Sequence, residues 1–238
     1  MIKKILNIFF SYKHKRQRKK IVSCENTLNK AIKTENKCHR KYLQKQLYST
    51  YWKKDREGSE RFEYLIDNLI KYIDISKSRI LCVGSRNLCE INYFKSKGAQ
   101  DIVGIDLFSE NKDILVMDMH NMEFPDNHFD IILSSHSFEH SRIPERVSSE
   151  FIRVVRNGGF IAIEVPVNYQ ISEIDLWDFK TLENLKGFFK PYIKRIFLEE
   201  YEIKTEKKKY TPMDVIKIIF SVDKNSMHEK TKTEQVRS

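Results

Sequence analysis

Two carboxylates, two histidines and a Gly-Ser turn stand at the ends of short apolar runs, and their order suggests a chemistry. Gly84 and Ser85 close the run Ile80 to Val83, and Asn87 follows them. Asp106 and Leu107 close the run Ile102 to Ile105, about twenty residues further on. Asp118 and Met119 follow Ile114 to Met117, and Ser135 and His136 follow Ile131 to Leu133, with His140 four residues beyond His136. A glycine turn lets backbone approach a nucleotide-like group, and the helix start after it offers N–H groups. A carboxylate at the next strand end accepts from ribose hydroxyls. A histidine at a strand end can move a proton near neutral pH.

These residues need strands ending side by side. The apolar runs predict strands at 79–83, 101–106, 114–117, 129–134 and 159–165, with helices at 87–97 and 143–155 between them. Short continuous runs such as Ile131-Ile132-Leu133 suit strands covered on both faces of a parallel sheet. A further helix is expected from Thr181 to Phe189, stopping before Pro191. Strands from Arg195 to Ile203 and from Asp214 to Asp223 flank Lys207-Lys208-Lys209-Tyr210, which reads as a hairpin loop. The fold expected is α/β: a Rossmann-like, seven-stranded, mostly parallel sheet with a late antiparallel hairpin. In such a sheet the ligand lies beyond the carboxyl ends of the strands, where the functional residues fall.

Ahead of the sheet, Glu60 to Ile73 reads as an amphipathic helix through Phe62, Leu65, Ile66, Leu69, Ile70 and Ile73, and residues 24–56 as a more polar helical stretch. Residues 1–60 hold 17 Lys and Arg against 5 Asp and Glu, so the net charge of +10 belongs to this arm and not to the body. The charge therefore argues against nucleic acid as a general partner. Ile2, Ile5, Leu6 and Phe9 at helical spacing, followed by the basic run Lys13 to Lys20, leave three readings open. These are a helix packed on the core, a peripheral contact with the inner face of an anionic membrane, and a nucleic-acid arm. No run approaches the ~20 apolar residues of a membrane span. Cys24, Cys38, Cys82 and Cys89 form no CxxC pair and read as free thiols of a cytoplasmic protein. The divisions expected are a basic helical extension over 1–58, a catalytic domain over 59–224 and a disordered tail over 225–238.

The central stretch resembles a known family. Asp118-Met119-His120-Asn121-Met122-Glu123-Phe124-Pro125-Asp126-Asn127-His128-Phe129-Asp130, then Ile131 to Ser135 and Glu139-His140, is similar to a group of class I S-adenosylmethionine-dependent methyltransferases. In that group an acid-containing loop precedes an FPDNxFD turn, a strand and an EH pair. Phe151-Ile152-Arg153-Val154-Val155-Arg156-Asn157-Gly158-Gly159 resembles the family's RVLKPGG turn, in which the Gly158-Gly159 pair is expected to supply positive-φ turn geometry. The likeness covers 79–166 by motif and 167–223 by topology.

What the resemblance implies is S-adenosylmethionine as cofactor and methyl transfer as reaction. Gly84 and Ser85 would meet the amino-acid end through backbone groups, with Asn87 nearby. Asp106 would take both ribose hydroxyls, with Leu107 alongside, and Asp118 and the Met119 amide would take adenine. Ser135 and His136 would flank the sulfonium, and His136 or His140 would serve as base for a hydroxyl acceptor. The first motif departs from the family, showing Cys82-Val83-Gly84-Ser85-Arg86-Asn87 where an acid and a GxGxG turn are usual. The closest-looking sequences point to a carbohydrate, glycolipid or other small acceptor, with Trp177 and Phe179 as a candidate aromatic platform. Three other readings stand beside this one: a nicotinamide-dependent oxidoreductase, a non-catalytic binding domain, and a zinc site at His136-Ser137-Phe138-Glu139-His140. The last requires an H-x-x-E-H helix.

Overall fold

A computed structural model describes residues 42, 44–50, 61–203 and 214–225. The arm over 1–40, Cys24 and Cys38 within it, the hairpin loop at 207–210 and the tail from 226 onward lie outside the described residues. Helix α1 covers residues 44–50, with Tyr42 also helical, and α2 covers Arg61–Leu69. The strands are β1 (Arg79–Val83), β2 (Asp101–Asp106), β3 (Ile114–Val116), β4 (Phe129–Ser135), β5 (Val155–Val167), β6 (Ile193–Glu202) and β7 (Asp214–Val222). Between them lie α3 (Cys89–Ser96), α4 (Pro144–Val154) and α5 (Leu182–Gly187).

The strands form one seven-stranded sheet in the order β3-β2-β1-β4-β5-β7-β6. β1 to β5 run parallel, while β7 pairs antiparallel with both β5 and β6. This is the expected α/β sheet with its late hairpin. Alternation along the strands divides the core into two layers. Leu81, Val83, Ile132, Ile161 and Ile163 pack with Val147, Phe151 and Leu185 of α4 and α5. Ile80, Cys82, Ile131, Leu133 and Ala162 pack on the other face with Leu65 and Leu69 of α2 and Ile91 and Phe94 of α3.

Three local expectations change. β5 starts at Val155, which already pairs with Phe129, and the register shifts before Ile131 pairs with Phe160. Of the pair Gly158-Gly159, only Gly158 takes a positive φ, at 74°. Gly159 is small because a Cβ there would stand 2.7 Å from Val155 Cγ2 and 2.9 Å from the Asp130 carbonyl. Phe179 is core and stacks on Phe138 with ring centres 5.4 Å apart, so it offers no platform to a ligand. Trp177 remains partly exposed over it.

β1 has β2 on one side and β4 on the other, so the order in which strands are added reverses there and opens a crevice at their carboxyl ends.

Candidate active site

The crevice is a cleft open to solvent, with about 700 Å³ of space counted out to its mouth. Its floor is a close approach between two strand ends. Gly84 has φ 77°, and a Cβ on it would stand 2.3 Å from Ser137 Cβ. Ser137 donates to the Val83 carbonyl at 2.8 Å and shares a bond of 2.7 Å with the buried Ser134 hydroxyl. The Gly84 and Ser85 amides both donate to the Ile105 carbonyl, at 2.9 and 3.0 Å. Ser85 is buried, and its hydroxyl donates to Glu90 at 2.8 Å. Burial pushes the Glu90 carboxyl up to about 7, against the opposing pull of Ser85, with Asp106 adding to the rise and Arg86 opposing it.

Asp106 and Asp118 line one wall at neighbouring strand ends, with Ile105, Leu107, Met117 and Met119 between and around them. Burial raises the Asp106 carboxyl to about 6. The opposing influences are the amides of Phe108 and Leu107, the Thr50 hydroxyl and the charge of His140. Asp118 Oδ1 accepts from the His120 amide at 2.9 Å and lies 2.7 Å from His120 Nδ1.

The opposite wall carries the histidines. His136 stands at φ 51°, its amide donating to the Glu164 carbonyl at 2.9 Å. Its Nε2 lies 2.9 Å from Glu164 Oε1, and its Nδ1 lies 3.9 Å from Glu139 Oε1. Glu164 is 1% exposed and its other oxygen lies 3.9 Å from Lys217 Nζ, which in turn bonds Glu202. Glu139 is buried and its carboxyl is raised by that burial, against the pull of His140 and His136. His140 Nδ1 sits 3.1 Å from Asp175 and 3.0 Å from the Ile174 carbonyl. Burial works to lower the His140 imidazole, but Glu139, Asp175 and the Ile174 carbonyl together hold it above its usual value.

Helix α1 covers the mouth. Tyr42 donates to the His140 carbonyl, Gln46 donates to the Ile174 carbonyl at 2.6 Å, Lys45 pairs with Glu173, and Thr50 reaches Asp106.

Residues 81–163 match the family described as a methyltransferase domain. The fold around those residues is that of the class I S-adenosylmethionine-dependent methyltransferases. An S-adenosylmethionine-dependent methyltransferase from Archaeoglobus fulgidus is 15% identical over 73% of this chain and 99% of that one, with a TM-score of 0.52. A second from Aquifex aeolicus is 13% identical over 73% of this chain and 98% of that one, at 0.51. A protein from Pyrococcus horikoshii is 16% identical over 69% of this chain and 90% of that one, also at 0.51. Likeness at this level is likeness of fold. The search of curated proteins returns no match.

The methyltransferase domain is that of an enzyme whose cofactor is S-adenosylmethionine. The residues present fit such a group. Asp106, a carboxylate among amide and hydroxyl donors, suits two more hydroxyls, and the apolar side chains between the two acids suit a purine.

Of the residues expected in the site, Gly84, Asp106, Leu107, Asp118, Met119, His136 and His140 line the cleft of the methyltransferase domain. Three others do not. Ser85 is turned inward to Glu90, Asn87 receives the Cys89 amide in a local turn, and Ser135 stays in register with Glu164. The left-handed turn at His136 brings Ser137, not Ser135, to the wall. The amides expected to meet the amino-acid end are spent on Ile105, while Arg86 lines the cleft there. The zinc reading fails on geometry. His136 is at positive φ and Phe138–His140 is a single 3-10 turn, so no helix runs through the pentapeptide.

Tyr42, Gln46, Ser49, Thr50, His120 and Ser137 also line the site without having been singled out. His120 stood beside Asp118 at a strand end. Glu164, a lone acid inside the apolar run of β5, signalled a buried partner, as did Lys217 in β7.

Proposed function

We propose that the domain transfers a methyl group to a hydroxyl of a small acceptor, a carbohydrate or glycolipid, with His136 as general base. The observation that carries this is the bond between His136 Nε2 and the buried Glu164 carboxylate. A carboxylate accepts, so Nε2 holds the proton and Nδ1 keeps its lone pair on a ring that lines the cleft. The cofactor supplies an electrophilic methyl carbon on a sulfonium. What the protein must add is alignment of the acceptor and removal of its proton. His140, held toward its charged form by Asp175 and Glu139, fits the base role less well and fits the anchoring of the loop after β5.

Asp106 is assigned to the ribose hydroxyls, Asp118 and the Met119 amide to adenine, and Arg86 to the carboxylate of the amino-acid end. Support for a polyhydroxylated acceptor comes from Asp175 and the partly exposed Trp177, in the loop that His140 anchors beside the cleft. The catalytic domain is taken as 59–224, with α1 of the preceding extension as its cover.

Among the described residues no helix is long and apolar enough to cross a membrane. The basic arm over residues 1–20 is assigned to an anionic membrane surface, which would bring the enzyme to a glycolipid. Liposome flotation with and without residues 1–20 tests that assignment.

Transfer of labelled methyl to fractionated cell extracts, followed by identification of the product, tests the reaction. A product labelled on a hydroxyl of a sugar is expected. Label found only on nitrogen overturns the acceptor class.

A further inference from the structure

We infer that His120 is a positioning residue for the adenine end of the cofactor, acting through Asp118. The inference rests on the assignment of Asp118 to adenine made above.

His120 is 5% exposed and lies in the turn after β3, where the Asn121 amide closes on the Asp118 carbonyl at 3.0 Å. Its ring bridges two parts of the chain. Nε2 receives the Arg142 amide at 3.0 Å, with the Ile143 amide at 3.4 Å, immediately before α4. Nδ1 lies 2.7 Å from Asp118 Oδ1. Arg146, in the first turn of α4, donates from Nε to the His120 carbonyl at 2.7 Å.

The backbone decides where the ring proton goes. An amide N–H can only donate, so Nε2 must be the accepting nitrogen. The neutral ring then carries its proton on Nδ1, and that proton points at Asp118 Oδ1. The same oxygen accepts the His120 amide at 2.9 Å. Two donors from one residue pin one oxygen, which fixes the plane of the carboxylate on the cleft wall. The start of α4 fixes the ring in turn. His120 thus transfers the rigidity of α4 to the acid that would accept from the exocyclic amine of adenine, in the way that a group bonded to a ligand's partner sets its direction.

The role separates from a merely structural one because the two ring nitrogens do different work. Asn in place of His keeps a group at the position of Nδ1 and can still donate to Asp118. Gln keeps a group nearer Nε2 and can still receive the Arg142 amide. The test is calorimetric binding of S-adenosylhomocysteine and of its 6-oxo analogue, S-inosylhomocysteine, to the whole protein. Wild type should favour the amino form by about tenfold or more, because a site built around a donor rejects the analogue lacking it. H120N should keep that preference, while H120Q and H120L should reduce it to within about threefold. Wild-type preference with no change in H120Q and H120L overturns the role of His120. No preference in wild type overturns the assignment of Asp118 instead. Nitrogen-15 NMR of the wild-type imidazole needs neither variant nor ligand. The Nδ1–H tautomer is expected, and the Nε2–H tautomer overturns the proposal.

Discussion

The Thr50 hydroxyl is bonded to the Asp106 carboxylate, joining a helix from ahead of the sheet to the end of β2. The acid assigned to the cofactor thus already meets protein hydrogen-bond donors at the cleft wall. Desolvation nevertheless outweighs them and raises the carboxyl to about 6.

The first prediction concerns pH. Below about 6 the Asp106 carboxyl takes a proton and loses acceptor strength toward two hydroxyls. The Kd for S-adenosylhomocysteine should rise as pH falls through that value, and a Kd flat across the range would remove Asp106 from the ribose site. Stability has the opposite dependence. A carboxyl whose folded pKa is raised favours the folded state fully below its unfolded pKa of ~3.9, and that contribution is lost as pH rises toward the folded value. D106N should therefore raise Tm near neutral pH, give little gain at about pH 4, and abolish cofactor binding.

Thr50→Val removes one influence that lowers the Asp106 pKa and leaves the burial in place. The midpoint of the pH dependence of binding should move upward in this variant. A midpoint unchanged from wild type would mean that α1 does not tune the acid.

Gly84→Ala combines a positive φ with a Cβ that would stand 2.3 Å from that of Ser137. Strain alone costs ~1–3 kcal/mol at such a position, and the collision adds to it. Urea unfolding of G84A, S137G and the double variant should show a coupling of ~0.5–3 kcal/mol in favour of the double variant. Strict additivity would mean that the two strand ends do not touch.

Glu164→Leu removes the acceptor that holds His136 Nε2. Methyl transfer should fall by about two orders of magnitude, the scale of general-base help. The Kd for S-adenosylhomocysteine should stay within about twofold, because the base acts on the acceptor and not on cofactor binding. Equal losses in both would make Glu164 a fold residue only.

Much of this was legible in the sequence because strand ends announce themselves. Asp106 and Asp118 each stop an apolar run, and in a parallel sheet such positions converge by topology alone. Residues whose place depends on a turn or on docking were harder to see. Whether Ser135 or Ser137 faces the cleft is decided by one left-handed residue, His136, which no periodicity reveals. Gln46 and Thr50 sit in a polar helix whose contacts with Ile174 and Asp106 are tertiary, so nothing local marks them. The family resemblance gives the backbone groups of Gly84 and Ser85 to the cofactor, but the Ile105 carbonyl takes both amides, a tertiary bond that no local pattern marks. Glu164 was visible, as an acid among Phe160, Ile161, Ala162, Ile163 and Val165, but it was counted as part of a strand and not as a group demanding a counter-charge.

The 3.9 Å contact of Lys217 with Glu164 has a consequence for synthesis. β7 leaves the ribosome after every strand on which the cleft is built. A nascent chain that has emerged only through β5 already contains Asp106, Asp118 and His136, but not the cation beside the carboxylate that aims His136. Such an intermediate holds the residues assigned to the cofactor before it holds the full surroundings of the base. Competence to bind and competence to react would then arrive in sequence during translation, with the hairpin as the step that separates them.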